Sequence, residues 1–241
     1  MTSSKISIVL VVIIAGVIQF SFCQQPLESA LYENFGSHGA HINVYNTCPD
    51  LSHPNFNFDN RAKSYCVSGL WIFYSQPNFG YGLSHIEYSP IGTSKICNDF
   101  STIASDVSSA RAVASVNTIV EDSFRLYEHQ CFMGEVLDTQ DGFATLTLPC
   151  DHASFIITGS SSWSIYEGDN YTGRSICISA PPGGPVGPRL QSDIRNVGLR
   201  YGSIHSVKKG CNALPSERIF DLQPISRSND SNILGACRIV N

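Results

Sequence analysis

The chain has 241 residues, of which 42% are hydrophobic and only 15% are charged. This length is enough for one large or two small domains with buried cores. The formal net charge is −5, whereas proteins that neutralise phosphates normally carry a basic excess, so we expect no nucleic-acid partner.

The N-terminus has the layout of a secretory signal peptide. Lys5 precedes an apolar run over 6–22, and small residues follow it. A membrane anchor would need about 20 apolar residues without interruption, and polar residues break this run. We therefore predict a signal peptide over 1–23, a mature chain starting at Gln24, secretion to the extracellular space, and no transmembrane segment.

The sequence contains nine cysteines, and removal of Cys23 with the signal leaves 9 − 1 = 8. An even number of cysteines in a secreted protein predicts disulfides, here up to four. The predicted disulfide cysteines are Cys48, Cys66, Cys97, Cys131, Cys150, Cys177, Cys211 and Cys237.

The N-terminal segment 24–41 carries two weak signals. Residues 27–34 favour one short turn of helix. His38 and His41 form a pair of candidate metal ligands, but two ligands make a poor site.

From Ile42 onward, short aromatic and β-branched runs alternate with Gly, Pro, Asn and Asp clusters. This pattern predicts strands separated by turns. The clearest predicted strands are 42–45, 70–74, 124–127, 145–148 and 163–166.

The middle of the chain repeats itself. Tyr127 and Tyr166 each begin the pattern Tyr-Glu-x-x-x-aromatic-x-Gly, and Tyr74 has an aromatic residue at the same spacing. Trp71 and Trp163 each lie three residues before such a tyrosine. Two aromatic residues that bracket a turn, followed by a glycine able to adopt positive φ, predict a folded hairpin.

These motifs resemble the Greek-key units of the βγ-crystallin superfamily, whose closing serine-containing strands are similar to 106–113 and 203–207. The resemblance implies four units that begin near Ile42, Trp71, Phe124 and Trp163. The first unit departs from the pattern because Tyr45 has no aromatic residue five positions later. The predicted fold is all-β, with two antiparallel Greek-key β-sandwich domains over 42–117 and 122–211.

The resemblance also implies calcium loops with the pattern [ND][ND]-x-x-[ST]-Ser. The nearest match begins at Asp59 and Asn60 and ends at Ser64, and the second unit retains Asp106. Lys63 occupies a position where a hydroxyl ligand is expected, which opposes calcium. Asp59, Asn60, Ser64 and Asp106 are therefore weak calcium candidates, and no other cofactor is expected.

Signatures of catalysis are absent from the sequence. It contains no Gly-x-Ser-x-Gly elbow, no His-Glu-x-x-His motif and no phosphate-binding loop. The glycine- and proline-rich segment 181–188 lacks amide donors at its prolines and has no lysine after it. We expect a protein that is not an enzyme.

The C-terminal extension 212–241 contains an extra predicted strand over 218–222 and then Cys237. We interpret it as a segment that packs back onto the predicted domains. The alternative is a tail that binds a partner. Asn170 and Asn229 lie in glycosylation sequons, and Asn170 falls in a predicted tight turn.

The cysteines divide into three in the first domain and five in the second domain plus extension. Because both numbers are odd, either a bridge joins the two halves or each half keeps an unpaired thiol, which is unfavourable in a secreted protein. We predict that one cysteine of the second set, such as Cys237, pairs with the first domain. The predicted function is that of a secreted, disulfide-stabilised, non-enzymatic structural or binding protein, with an unknown extracellular partner or self-association. The alternatives are a defence module that recognises calcium, a glycan or a membrane, and a venom or toxin-like component acting on a protein target.

Overall fold

The computed structural model describes residues 27–80, 84–89, 91, 94–115, 117–146, 152–180, 187–211 and 218–222, and the backbone of 236–238. The predicted signal peptide, Asn229 and most of the 181–188 segment lie outside these residues. Within them the chain is all-β, as the sequence predicts. In the part of the chain that is described, no helix is long and apolar enough to cross a membrane.

The first half of the chain forms eight strands: β1 Glu28–Asn34, β2 His38–Tyr45, β3 Thr47–Cys48, β4 Ser64–Val67, β5 Leu70–Tyr74, β6 His85–Tyr88, β7 Ile96–Asp99 and β8 Ser109–Ala114. They form one sheet in the order β2-β1-β4-β7 and a second containing β6-β5-β8-β3. Because β3 and β7 each join the sheet of the other unit, the two units are interlocked as Greek keys.

The second half repeats this arrangement with strands β9 Ser123–Tyr127, β10 Val136–Thr139, β11 Gly142–Phe143, β12 Ser154–Thr158, β13 Trp163–Gly168, β14 Thr172–Ser179, β15 Arg189–Gln191 and β16 Ser206–Lys209. The sheet orders are β10-β9-β12-β15 and β11-β16-β13-β14. Short 3₁₀ turns lie at Thr118–Val120, Gln130–Phe132, Asp169–Tyr171 and Ile194–Val197.

Strand β5 shows how the layers are built. All five of its residues are buried. Trp71 and Phe73 point into the core of the first domain, while Leu70, Ile72 and Tyr74 point to the opposite face. A strand covered on both faces has a continuous apolar sequence. Trp163 has the corresponding core position in the second domain.

The opposite face of β5 packs against the second domain. The Tyr74 hydroxyl donates to the Phe132 carbonyl at 2.7 Å, and Arg111 Nη2 donates to the Gly134 carbonyl at 3.0 Å. The buried Arg111 guanidinium also lies 3.7 Å from the centroid of the Phe79 ring. The two domains therefore share a third apolar layer and are joined by direct hydrogen bonds.

The first unit begins earlier than predicted. Residues 27–34 do not form a helical turn, because β1 pairs with β2 on one side and β4 on the other. Tyr32 begins the repeated pattern, with Ser37 in place of the aromatic residue and Gly39 in place of the glycine. Both Ser37 and Gly39 have positive φ, like their counterparts Phe132 and Gly134 in the third unit and the corresponding residues of the fourth. The predicted start at Ile42 was wrong because Ser37 lacks the aromatic side chain that marks this turn in the other units.

The extension contributes two further strands, β17 Arg218–Asp221 and β18 Ala236–Arg238. Strand β17 pairs in parallel with β14, and β18 pairs antiparallel with β6 of the first domain. The predicted strand at 218–222 is thus confirmed, and the extension crosses from one domain to the other. The prediction of a strand over 145–148 was wrong at 145 and 146, which are irregular, and 147–148 lie outside the described residues.

Disulfides join strands within each domain. Cys66 on β4 bonds Cys97 on β7, and Cys177 on β14 bonds Cys211 after β16. Cys131 is also disulfide-bonded. Cys150 and the Cys237 side chain are not among the described groups.

The disulfide prediction was wrong for Cys48, whose thiol is free and buried. With Cys66 bonded to Cys97, no first-domain cysteine remains for the predicted bridge to the second set. Cys48 and Cys237 also belong to strands at opposite edges of one sheet, β3 and β18. The extension therefore reaches the first domain through backbone pairing and not through a first-domain disulfide.

Candidate functional site

Two loops of the first domain lie against each other with approximate two-fold symmetry. The Asn60 N–H donates to the Val107 carbonyl at 3.0 Å, and the Ser105 N–H donates to the Ala62 carbonyl at 2.7 Å. Asn60 and Ser105 both have the left-handed backbone conformation. The first loop therefore faces the second, and a ligand set at this place draws on both.

This symmetry changes the role of Lys63. Ser108 follows Val107 in the second loop as Lys63 follows Ala62 in the first. The Ser108 hydroxyl donates to Asn60 Oδ1 at 3.4 Å, so Asn60 faces a hydroxyl and not the lysine of its own loop. By the same symmetry Lys63 belongs with Ser105. The loop pair thus has two halves, one that contains Asn60 and Ser108 and one that contains Ser105 and Lys63.

The half that contains Asn60 is rich in oxygen atoms. Asp59 Oδ2 accepts from Asn60 Nδ2 at 3.0 Å, while Asp59 Oδ1 is buried and has no hydrogen-bond partner among the described residues. A buried carboxylate oxygen without a partner is unfavourable unless a cation or water satisfies it. With Asp106 in the facing loop, these groups are the hard oxygen donors that calcium prefers.

Ser64 does not belong to this set. Its hydroxyl donates to the Asn34 carbonyl at 2.6 Å and accepts from the Ser37 N–H at 3.0 Å, which closes the β1–β2 hairpin. The other units use a buried serine in the same way: Ser109, Ser154 and Ser206. This closing serine is a structural element of the repeat, which explains its presence in the sequence pattern.

The second domain uses its acidic side chains differently. Asp193 accepts hydrogen bonds from Arg195, Gln130 and the Tyr201 hydroxyl. Burial opposes ionisation of Asp193, but these bonds outweigh it and hold the pKa of the carboxyl below its usual range. Asp193 is therefore neutralised internally and has a structural role.

An open groove of about 990 Å³ separates the domains beside their apolar contact. Arg125 and Asp138 lie in its lining with an Nε–Oδ2 distance of 2.8 Å. Hydroxyl and amide side chains form much of the remaining surface: Asn46, Thr47, Ser115, Asn117, Thr118, Ser123, Thr139, Gln140 and Thr158. The groove is polar, and its Arg125 and Asp138 charges neutralise each other.

The remaining candidate positions do not converge. His38 and His41 lie on either side of a register shift in the pairing of β2 with β1, opposite Asn34 and Tyr32. His41 stacks on Tyr32 with ring centroids 5.2 Å apart. Among the described residues, no group of three or more His, Cys, Asp and Glu side chains is placed to hold a metal. Asn170 is exposed in the predicted tight turn.

Comparison with known proteins supports the fold. No protein-family model and no curated protein matches the sequence. Geodin, a βγ-crystallin from Geodia cydonium, is 20% identical with a TM-score of 0.55, over 76% of this chain and 99% of its own.

Two further solved structures are smaller matches. An archaeal βγ-crystallin is 24% identical with a TM-score of 0.30, over 36% of this chain and 96% of its own. A βγ-crystallin from Ciona intestinalis is 19% identical with a TM-score of 0.30, over 36% and 98%. The Geodin match spans both sandwich domains. At 20% sequence identity it shows similarity of fold alone. The chain therefore has the two-domain βγ-crystallin fold.

Proposed function

We propose that this chain acts outside the cell as a secreted, disulfide-stabilised, non-enzymatic structural or binding protein. The observation that carries this proposal is the presence of a disulfide in each domain, Cys66–Cys97 and Cys177–Cys211. Disulfides persist in oxidising compartments and are rare in the cytosol. The signal-peptide pattern of the N-terminus supports the same compartment.

Expression of residues 1–241 in cultured secretory cells tests this function. We expect the medium to contain a chain that starts at Gln24 and yields both disulfide-linked peptide pairs in a non-reducing digest. A matched control that lacks 1–23 should remain inside the cell. Retention of the full chain in the cytosol with free thiols at these positions would contradict the proposal.

A second candidate function, calcium binding, rests on the unpartnered oxygen of Asp59. We propose one calcium ion between the two loops of the first domain, held by Asp59, Asn60 and Ser108 with Asp106 contributing from the facing loop. Extracellular calcium modules bind with dissociation constants on the order of 10⁻⁴–10⁻³ M. Lys63 lies in the other half of the loop pair and does not replace a ligand of this site.

Calorimetric titration of the mature chain with calcium chloride tests the second function. We expect one site, at least about tenfold weaker in Asp59→Asn because that variant removes the charge of the carboxylate whose Oδ1 is unpartnered. Ser105→Ala is the matched control, since it alters the half that contains Lys63. Absence of heat at millimolar calcium, or equal binding by Asp59→Asn, would rule out the site.

A further inference from the structure

In each unit the second strand pairs with the first strand on one side. The units differ in whether another strand pairs with its other edge. In the second unit β18 covers the edge of β6, and in the fourth unit β17 covers the edge of β14. In the described part of the chain, β2 and β10 end their sheets with no further strand. The same type of edge thus accepts an added strand twice within this molecule.

Over its regular part, 41–45, strand β2 lacks the usual protection of a free edge. It has eight residues, six of them exposed, and it contains no Lys, Arg, Asp, Glu or Pro. Natural edge strands are commonly short, charged or interrupted by proline, because unprotected edges pair with other chains. Strand β10 shows such protection, since it has four residues and its Asp138 is paired with Arg125.

The backbone hydrogen bonds show which groups of β2 face the open edge. The Tyr32 carbonyl accepts from the Lys63 N–H and so points toward β4. Tyr32 lies opposite His41, whose peptide groups therefore point away from β1. Because these directions alternate along a strand, Asn43 and Tyr45 also present free N–H and C=O groups to solvent.

We propose that β2 pairs antiparallel with β2 of a second copy of this chain, about a two-fold axis at Asn43. This register uses the regular part of the strand, 41–45, and avoids the irregularity between His38 and His41. It places Asn43 opposite Asn43 of the second copy, Ile42 opposite Val44, and His41 opposite Tyr45. Each of these pairs joins similar or complementary side chains, and no like charges meet.

Two further observations favour a second copy as the occupant. The added strands of the extension, β17 and β18, are already placed on β14 and β6, so they are not available to β2. Tyr45 is 51% exposed, and His41 is held by its stack on Tyr32. Pairing would cover the Tyr45 ring with the ordered His41 ring of the second copy and join two four-stranded sheets.

The oligomeric state of the mature chain tests this pairing. Light scattering during size exclusion, from roughly 1 μM to roughly 1 mM, should show the mass rise toward that of a dimer. Asn43→Pro removes an N–H that points to the open edge, without removing a β1–β2 hydrogen bond, and should give a monomer with an unchanged melting temperature. Asn43→Ala keeps the N–H and should remain dimeric.

A cross-linking pair tests the register. Asn43→Cys places two thiols at the two-fold axis and should give a covalent dimer on mild oxidation, whereas Tyr45→Cys separates them by several residues and should not. A wild-type chain that stays monomeric throughout the concentration range overturns the proposal. So does a folded Asn43→Pro variant that stays dimeric, or equal cross-linking of both cysteine variants. If Asn43→Pro does not fold, Asn43→Lys replaces it, with the same expected loss of dimer.

Discussion

The two domains share one plan, but they use their polar groups differently. In the second domain Asp122, five residues before Tyr127, accepts the Ser160 and Ser161 amides and pairs with Lys209 at 2.8 Å. The residue five positions before Tyr32 in the first domain is Leu27, which has no such side chain. The second domain thus neutralises Asp122 and Asp193 internally, while the first leaves an Asp59 oxygen unpartnered among the described residues. One backbone plan therefore accommodates different uses of acidic side chains in its loops.

Removal of a disulfide should have the largest effect. The two bridges span 31 and 34 residues. Removal of either bridge restores entropy to the unfolded chain, which predicts about 4 kcal/mol of destabilisation for each. We expect Cys66→Ala with Cys97→Ala, and Cys177→Ala with Cys211→Ala, to lower the denaturant midpoint by similar amounts. A difference of several kcal/mol would show that one domain carries additional constraints.

Asp122→Asn should destabilise the second domain by about 2–3 kcal/mol, because a partly buried charge-assisted network is lost. Burial opposes ionisation of Asp122, but hydrogen bonds from Lys209 and Ser161 outweigh it and hold its pKa well below the usual range. The contribution is therefore present above the ordinary carboxyl pKa of about 4 and is lost as the pH falls through the lowered folded-state pKa.

Urea unfolding at neutral and acidic pH measures this effect. The difference between wild type and Asp122→Asn should shrink as the pH falls below about 4. Asp138→Asn is the control, because the Asp138 side chain is more exposed than that of Asp122 and its ion pair should contribute less than about 1 kcal/mol. A constant difference across the pH range would contradict the assigned role of the Asp122 charge.

The closing serines should contribute equally to the stability of the two domains. Ser109→Ala and Ser206→Ala each remove a hydroxyl that bonds a carbonyl and an N–H of the folded hairpin, at a cost of about 1–3 kcal/mol. Thermal unfolding of both variants, with the exposed Ser160→Ala as control, measures this. Unchanged stability in either variant would contradict the common role.

The smallest predicted effect distinguishes two equivalent tyrosines at the domain contact. The Tyr74 hydroxyl donates to the Phe132 carbonyl, whereas the buried Tyr127 hydroxyl has no hydrogen-bond partner among the described residues. Tyr74→Phe should cost about 1 kcal/mol, and Tyr127→Phe should be neutral or slightly stabilising. An equal loss of unfolding free energy in both variants would show that the two hydroxyls contribute equally to stability.

Local patterns predicted four units but not where the first one begins. Tyr127 and Tyr166 reveal their units because the aromatic residue and the glycine both remain at the turn. The first unit was placed too late because Ser37 replaces the aromatic residue, although its positive φ shows that the backbone is the same. The turn requires a backbone with positive φ, and an aromatic residue at that position indicates this conformation only indirectly.

The candidate site was predicted in part. Asp59, Asn60 and Asp106 belong to the two loops that meet, whereas Ser108 was missed and Ser64 closes a hairpin. Sequence spacing within one loop suggested that Lys63 opposes a ligand, but the facing loop supplies the hydroxyl. A comparison of both loops in one alignment of the four units would have placed Ser108 at the hydroxyl position.

Strand alternation and the tyrosine repeat by themselves determined an all-β chain of repeated folded hairpins, because these features act over a few residues. The resemblance to βγ-crystallins then implied that the units pair as Greek keys. Only the tertiary structure decided that Cys48 stays free, that β18 joins the first domain and that Asn60 faces Ser108. Those outcomes depend on which strands become neighbours, and residues far apart in the chain meet only after the sheets have formed.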